Sequence, residues 1–184
     1  MKYFLLACCL IFSTFSQAAS TDKYMMLIQQ ALDKQPPLCL GETQWPVSMN
    51  KGGSMWVNAQ MEALVDAGLA KSQWISNQKI WQLTTKGQTE FNKHGDFCYG
   101  RVRINKIENI IDDGNGNTSV IFYYYIDKLP LWAKHKSIRV AHTDLDNLVL
   151  VTGVNNARYQ ADFMTTPAGS IKVIGEPYQL DLFY

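Results

Sequence analysis

His142-Thr143-Asp144-Leu145-Asp146 is the most ligand-like run of side chains in this 184-residue sequence. If the run is extended, His142, Asp144 and Asp146 share one face, because alternate residues of a strand do. One imidazole and two carboxylates suit a divalent metal. His135, seven residues earlier, can join them from the neighbouring segment. That reading makes the chain a metal-binding protein or a metal-dependent hydrolase. Against it stands turn chemistry, since Asp146-Asn147 favours a loop between strands. Asp112-Asp113-Gly114-Asn115-Gly116-Asn117 offers oxygens of the kind calcium takes, but a complete calcium loop closes on a bidentate glutamate. Ile121 to Tyr125 contains no acid, so a hairpin turn accounts for the run better. Ser119, Ser137 and Ser170 sit in strand-like or turn-like sequence without a G-x-S-x-G elbow. No nucleophile is therefore placed for a triad, and the leading reading is a non-enzymatic protein without a cofactor, the metal being the alternative.

Aromatic side chains are the other candidates. Tyr123 and Tyr125 fall on one side of a strand and Tyr124 on the other, with Trp132 following Pro130. An exposed face of Tyr123, Tyr125 and Trp132 would suit protein contact, because such rings bring large contact area at low entropic cost. The competing use of the same rings is to pack the strand onto the helices.

The elements that must position these residues change period near residue 96. Tyr24, Leu27, Ile28, Ala31 and Leu32 recur at helical spacing over residues 21–34. Thr21 or Asp22 can cap that helix, and Pro36-Pro37 ends it. A second helix opens after Gly52-Gly53-Ser54, runs from Met55 to Ala67 with Val57, Met61, Leu64 and Val65 inward, and ends on Gly68. Leu69 to Ile75 and Ile80 to Thr84 flank a polar turn and read as a hairpin, after which Thr85 to Phe91 begins another helical turn. From Phe97 the period is two. The expected strands are Val102 to Ile111, Thr118 to Ile126, Ser137 to Ala141, Leu148 to Val154, Arg158 to Met164 and Gly169 to Ile174, with a last segment at Tyr178 to Tyr184. The fold class is thus α+β, with a helical region carrying a short hairpin at 20–96 and an antiparallel β-meander at 97–184.

Location follows from the first residues. Met1-Lys2, an uncharged run of about thirteen residues from Tyr3 to Phe15, and Ser16-Gln17-Ala18 have the order of a secretory signal peptide over residues 1–19, cleaved after Ala18 or Ala19. Leu5-Leu6-Ala7-Cys8 also looks like a lipobox, but it would leave too short an apolar core for export. The run falls short of the roughly 20 residues that span a bilayer. A soluble, periplasmic protein is expected. Loss of residues 1–19 removes one lysine, leaving sixteen basic against sixteen acidic side chains. A neutral chain without a basic cluster does not recruit nucleic acid. Cys39 and Cys98 remain, and in an oxidising compartment they pair as a disulfide.

Leu64-Val65-Asp66-Ala67-Gly68-Leu69, the hairpin, and Trp81-Gln82-Leu83-Thr84-Thr85-Lys86-Gly87-Gln88-Thr89-Glu90-Phe91 together resemble the winged-helix family over residues 22–94. The resemblance implies a winged-helix shape and, in most of that family, DNA reading. The matching helix carries Glu62 and Asp66 and no basic residue, so DNA binding is the expectation only for a chain that is not exported. The overall plan, with Phe122 to Ala133 and His142 to Asp146, also resembles the periplasmic carbapenem intrinsic-resistance (CarG-like) proteins. That resemblance implies protection of a producer without hydrolysis of the drug. The combined expectation is an exported accessory protein that binds another periplasmic protein or a second copy of itself.

Overall fold

A computed structural model describes residues 14–146 and 158–180, with side chains described from residue 20. Helix α1 spans Thr14–Leu32, strand β1 Leu38–Cys39, β2 Val47–Asn50, α2 Met55–Asp66, β3 Ala70–Ile75, β4 Gln78–Leu83 and α3 Thr85–Phe91. Then come β5 Cys98–Asp112, β6 Asn117–Asp127, a 3-10 turn at Leu131–Lys134, α4 Lys136–Ala141, β7 Arg158–Thr165 and β8 Ile171–Gln179. The fold is mixed helix and sheet, as expected, and both sheets are antiparallel. The larger has strand order β1-β5-β6-β7-β8 and the smaller β2-β4-β3. Among the described residues no helix is long and apolar enough to cross a membrane.

Local chemistry explains why the helical half was readable. The Ser54 hydroxyl accepts from Val57 N and starts α2, and Gly68 takes the left-handed conformation (φ 73°) that ends it. Thr84 caps α3 by accepting from Gly87 N at 3.0 Å. Met61 and Leu64 are buried as the spacing predicts, whereas Val57 and Val65 are only half-buried. The helix α1 does bury Tyr24, Ile28, Ala31 and Leu32, but it begins at Thr14 rather than at a cap on Thr21 or Asp22.

Three expectations in the second half are corrected. Ser137 to Ala141 is helix α4 rather than a strand: Ile138 and Ala141, one turn apart, are the buried pair, and the helix seats against α2. Residues 143–146 are likewise helical, so the run from His142 is not extended. Gly169 lies in the turn before β8 with φ 75°, and the strand starts at Ile171. Strand β2 carried too few residues to announce itself. The expected strand at 148–154 and the end of the last segment, 181–184, lie outside the described residues.

In the larger sheet, Thr118, Val120, Phe122, Tyr124 and Ile126 of β6 and Tyr159, Ala161 and Phe163 of β7 point inward. Helix α1 lies on that inner face, with Tyr24 edge-on to Phe163 at 4.9 Å between ring centroids. Register shifts in β5 at 104/106 and 107/109 mark bulges, which bend a strand and increase its twist. The helix touches both β5 and β8, although β6 and β7 lie between them. One cluster of buried residues runs from Leu64 and Trp81 through Phe97 to Phe122 and Phe163, crossing the change of period at residue 96.

Candidate interaction surface

With the inner face filled, the alternate residues of β6 to β8 form an outer face on which no described helix packs, while on β5 the same side carries Arg101 and Arg103, which reach the end of α1. Its rows follow from the register: Tyr123 beside Arg158; Ile121, Gln160 and Tyr178; Ser119, Asp162 and Ile174; Asn117, Met164 and Lys172. Tyr125, Ile111, Met164, Ile174 and Tyr178 are all exposed by more than two-fifths, unusual for so many large apolar side chains on adjoining strands.

Polar groups fix this apolar face. The Asp162 carboxylate accepts from Ser119 Oγ and Gln160 Nε2, both at 2.7 Å, and from the Tyr178 hydroxyl at 3.3 Å. Partial burial, the charge of Asp162 and the hydrogen bond to it hold the Tyr178 phenol above its ordinary range. None of these three donors is charged. Nearby, Glu108 accepts from the Tyr123 hydroxyl and lies 3.5 Å from Arg158, while Lys106 sits 4.9 Å from the Tyr123 ring centroid.

Tyr123 and Tyr125 share this face and Tyr124 is buried on the other, as the alternation predicts. Trp132 does not belong with them. It is 5% exposed and stacks edge-on against Phe97 at 5.9 Å, because the 3-10 turn after Pro130 carries it inward. Its indole N–H is buried without a hydrogen-bond partner among the described residues.

The four metal-ligand candidates are dispersed. His142 is buried, and its Nε2 has no hydrogen-bond partner among the described residues. Asp144 is exposed, Asp146 pairs with Arg139 at 2.6 Å, and His135 precedes α4 as its N-cap. The helical turn at 143–146 rotates the two carboxylates apart, which removes the shared face on which metal binding was argued. Among the described residues no group of three or more His, Cys, Asp or Glu is placed to hold a metal ion. Burial lowers the His142 pKa from its ordinary 6.5, opposed first by Asp144 and then by Asp96. Burial, reinforced by Asp144 and then Tyr159, pushes the Tyr99 phenol up to about 12.

Cys39 and Cys98 form the expected disulfide. Sequence reasoning missed its companion, Asp96, whose carboxylate accepts from Gly41 N and Glu42 N at 3.0 Å and from Phe97 N at 2.6 Å. Burial and then Asp96 raise the Glu42 pKa. Arg101 and Arg103 lie on β5, where they bind the carbonyls and carboxylate at the end of α1. Lys134 and Lys136 end the 3-10 turn and begin α4.

A second surface lies between α2 and α4, a groove of about 500 Å³ floored by Ala59, Ala63 and Ala141 and flanked by Trp56 and Val140. Asp66, on its rim, accepts from Ser137 of α4 at 2.6 Å. Glu62 is held by Lys79 at 2.9 Å and by the Trp81 indole at 2.7 Å. Both acids of the helix matched to a recognition helix are thus spent on intramolecular contacts. Compared with known proteins, the chain has no match: no family model fits it, and no curated protein or solved structure is significantly similar.

Proposed function

We propose that this chain is an exported, non-enzymatic binding protein of the periplasm that acts through protein contacts made by the outer face of its larger sheet. The observation that carries the reading is the set of exposed Tyr125, Tyr178, Ile174, Ile111 and Met164 around a pinned Asp162. Apolar anchors surrounding a few fixed polar groups are the usual anatomy of a protein-binding patch. The leader-like first nineteen residues and the Cys39–Cys98 disulfide support an oxidising compartment. Protection of a cell against a carbapenem, implied by the family resemblance, is the setting in which to seek the partner.

The region 20–96 serves as a winged-helix-like module without a DNA-reading role. The order α1, β2, α2, β3, β4, α3 and the sheet order β2-β4-β3 support the shape. Engagement of Glu62 and Asp66, and α4 lying on α2, support a packing role for that helix.

The test is affinity capture from periplasmic extract with the tagged chain, comparing the natural sequence with a Tyr125→Ala, Tyr178→Ala double variant. A stoichiometric partner retained by the first and lost by the second is expected. Equal retention, or release of the chain with the cytosol on osmotic shock, refutes the reading. The mature N-terminus is expected at Ala19 or Ser20.

A further inference from the structure

Asp162 has no cation within 4 Å among the described residues, although it sits half-buried in the middle of an apolar face. Its three donors are neutral, and a carboxylate bears up to four acceptor positions. The nearest cation by register, Lys172, is on a diagonal across β8 and outside ion-pair distance. A surface that binds through this face must therefore bring a positive charge to Asp162, or leave it desolvated and uncompensated at a cost of several kcal/mol.

The face itself carries that cation. Arg158 lies on the same side of β7, two outward positions before Asp162, with Gln160 between them. Two copies stacked face to face are related by a two-fold axis in the plane between the sheets. An axis along β7 would set Asp162 on Asp162 and Arg158 on Arg158, two like-charge contacts. An axis across the strands at Gln160 sets each Asp162 on the other copy's Arg158. It also lays Ile121 on Ile121 and Tyr178 on Tyr178, and brings Ile174 over Leu180, which is itself exposed. At the sheet's far edge, the same axis carries Lys106 toward the acidic turn at Asp112 and Asp113. Between these two arrangements, charge favours the axis across the strands.

We infer that the occupant of this face is a second copy of the chain, docked sheet to sheet about a two-fold axis across the strands at Gln160, with reciprocal Asp162–Arg158 pairs. The inference deepens the protein-contact reading above and rests on it. Strands β6 to β8 present about 14 by 26 Å in plane, since strands lie about 4.8 Å apart and outward rows about 6.6 Å apart. That places the contact at the low end of specific interfaces, under about 1,200 Å² in total. The dimer is accordingly weak and concentration-dependent. Arg158 gives up part of its contact with Glu108 to serve both acids.

Sedimentation equilibrium of the purified protein, disulfide intact, over about 10 to 500 µM tests this, since weak contacts dissociate in that range. The natural chain is expected to dimerise reversibly. Asp162→Arg and Arg158→Asp are each expected to weaken the dimer by tenfold or more, because each places like charges at both contacts. Mixed in equal amounts, the two variants are expected to recover a dimer of one copy of each, in which both contacts become Arg on Asp. That rescue separates lost charge pairing from lost folding, which circular dichroism of each variant checks directly. A natural chain that stays monomeric throughout, single variants that dimerise normally, or a mixture that fails to associate while both variants are folded, overturns the inference. Monomers that still capture a periplasmic partner would sink the dimer alone, whereas a dimer with no such partner would sink the accessory role alone.

Discussion

Replacing Gly87 by alanine should destabilise this protein, although the same change in an exposed helix normally stabilises. Alanine exceeds glycine by about 1 kcal/mol in helix propensity. Gly87, however, sits in the first turn of α3 where that turn meets the chain leaving α2, and a Cβ built on it would lie 1.8 Å from the Leu69 carbonyl oxygen. Ordinary contact begins near 3.4 Å, so α3 and Leu69 must part by roughly 1.6 Å. The contacts strained by that movement are Thr84 N to Leu69 O at 3.0 Å, Thr84 Oγ1 to Gly68 O at 2.8 Å and Lys86 Nζ to Ala67 O at 2.9 Å. Losing about two of them costs about 2 kcal/mol, and overpacking adds about 1 to 3 kcal/mol. Less the propensity gain, the net loss is about 2 to 4 kcal/mol. Urea unfolding measures it, with exposed Gln88→Ala as the control expected within about 0.5 kcal/mol of the natural chain. A Gly87→Ala variant as stable as the natural chain, or more so, would refute the close approach and with it the junction that sets α3 against the hairpin.

Trp132→Ala should cost about 3 to 5 kcal/mol, since Trp132 is buried against Phe97, while Tyr125→Ala should leave the denaturation midpoint nearly unmoved; comparable losses would return Trp132 to the surface with the tyrosines. His142 ionises less readily when folded, so proton uptake favours the unfolded chain. Its contribution is therefore intact above about pH 6.5 and is lost as pH falls toward the folded-state pKa. Urea midpoints should drop from pH 7 to pH 5, and His142→Gln should flatten that slope; an unchanged slope in the variant would show that other groups set it.

The parts of the fold legible in the sequence are those whose signals are local. The capping contacts of Ser54, Gly68 and Thr84 each fall within four residues of their own position, so short motifs place α2 and α3. The segment Ser137-Ile138-Arg139-Val140-Ala141 alternates in polarity as a strand would, yet α2 offers it a surface that buries Ile138 and Ala141 one turn apart. Tertiary contact decided between two local readings of similar strength. The ligand-like run from His142 fails for the same reason, since its shared face existed only in extended form. The tyrosines of β6 were legible because alternation survives any partner, but Trp132 was not, because the turn after Pro130 sets its direction. Nothing local reveals Asp162 either, whose three donors come from β6, β7 and β8.

The links between the two halves bear on which surface is left for function. Asp96 and the disulfide fasten residues 39–42 to the start of β5, and α4 returns from the sheet to lie on α2 with Ser137 on Asp66. The paired cysteines are separated by 59 positions in the sequence, so closing that loop stabilises the fold by about 4 kcal/mol on the chain-entropy model. These ties occupy Asp66 of α2 and residues 39–42, and α1 covers the inner sheet face. They leave the outer face of β6 to β8 as a broad surface whose apolar rings, and the Asp162 carboxylate with no cation within 4 Å among the described residues, are held in place by the sheet itself. A partner meeting a rigid face loses little entropy in ordering it, so even a contact of modest area can bind there, provided that it brings the charge Asp162 lacks.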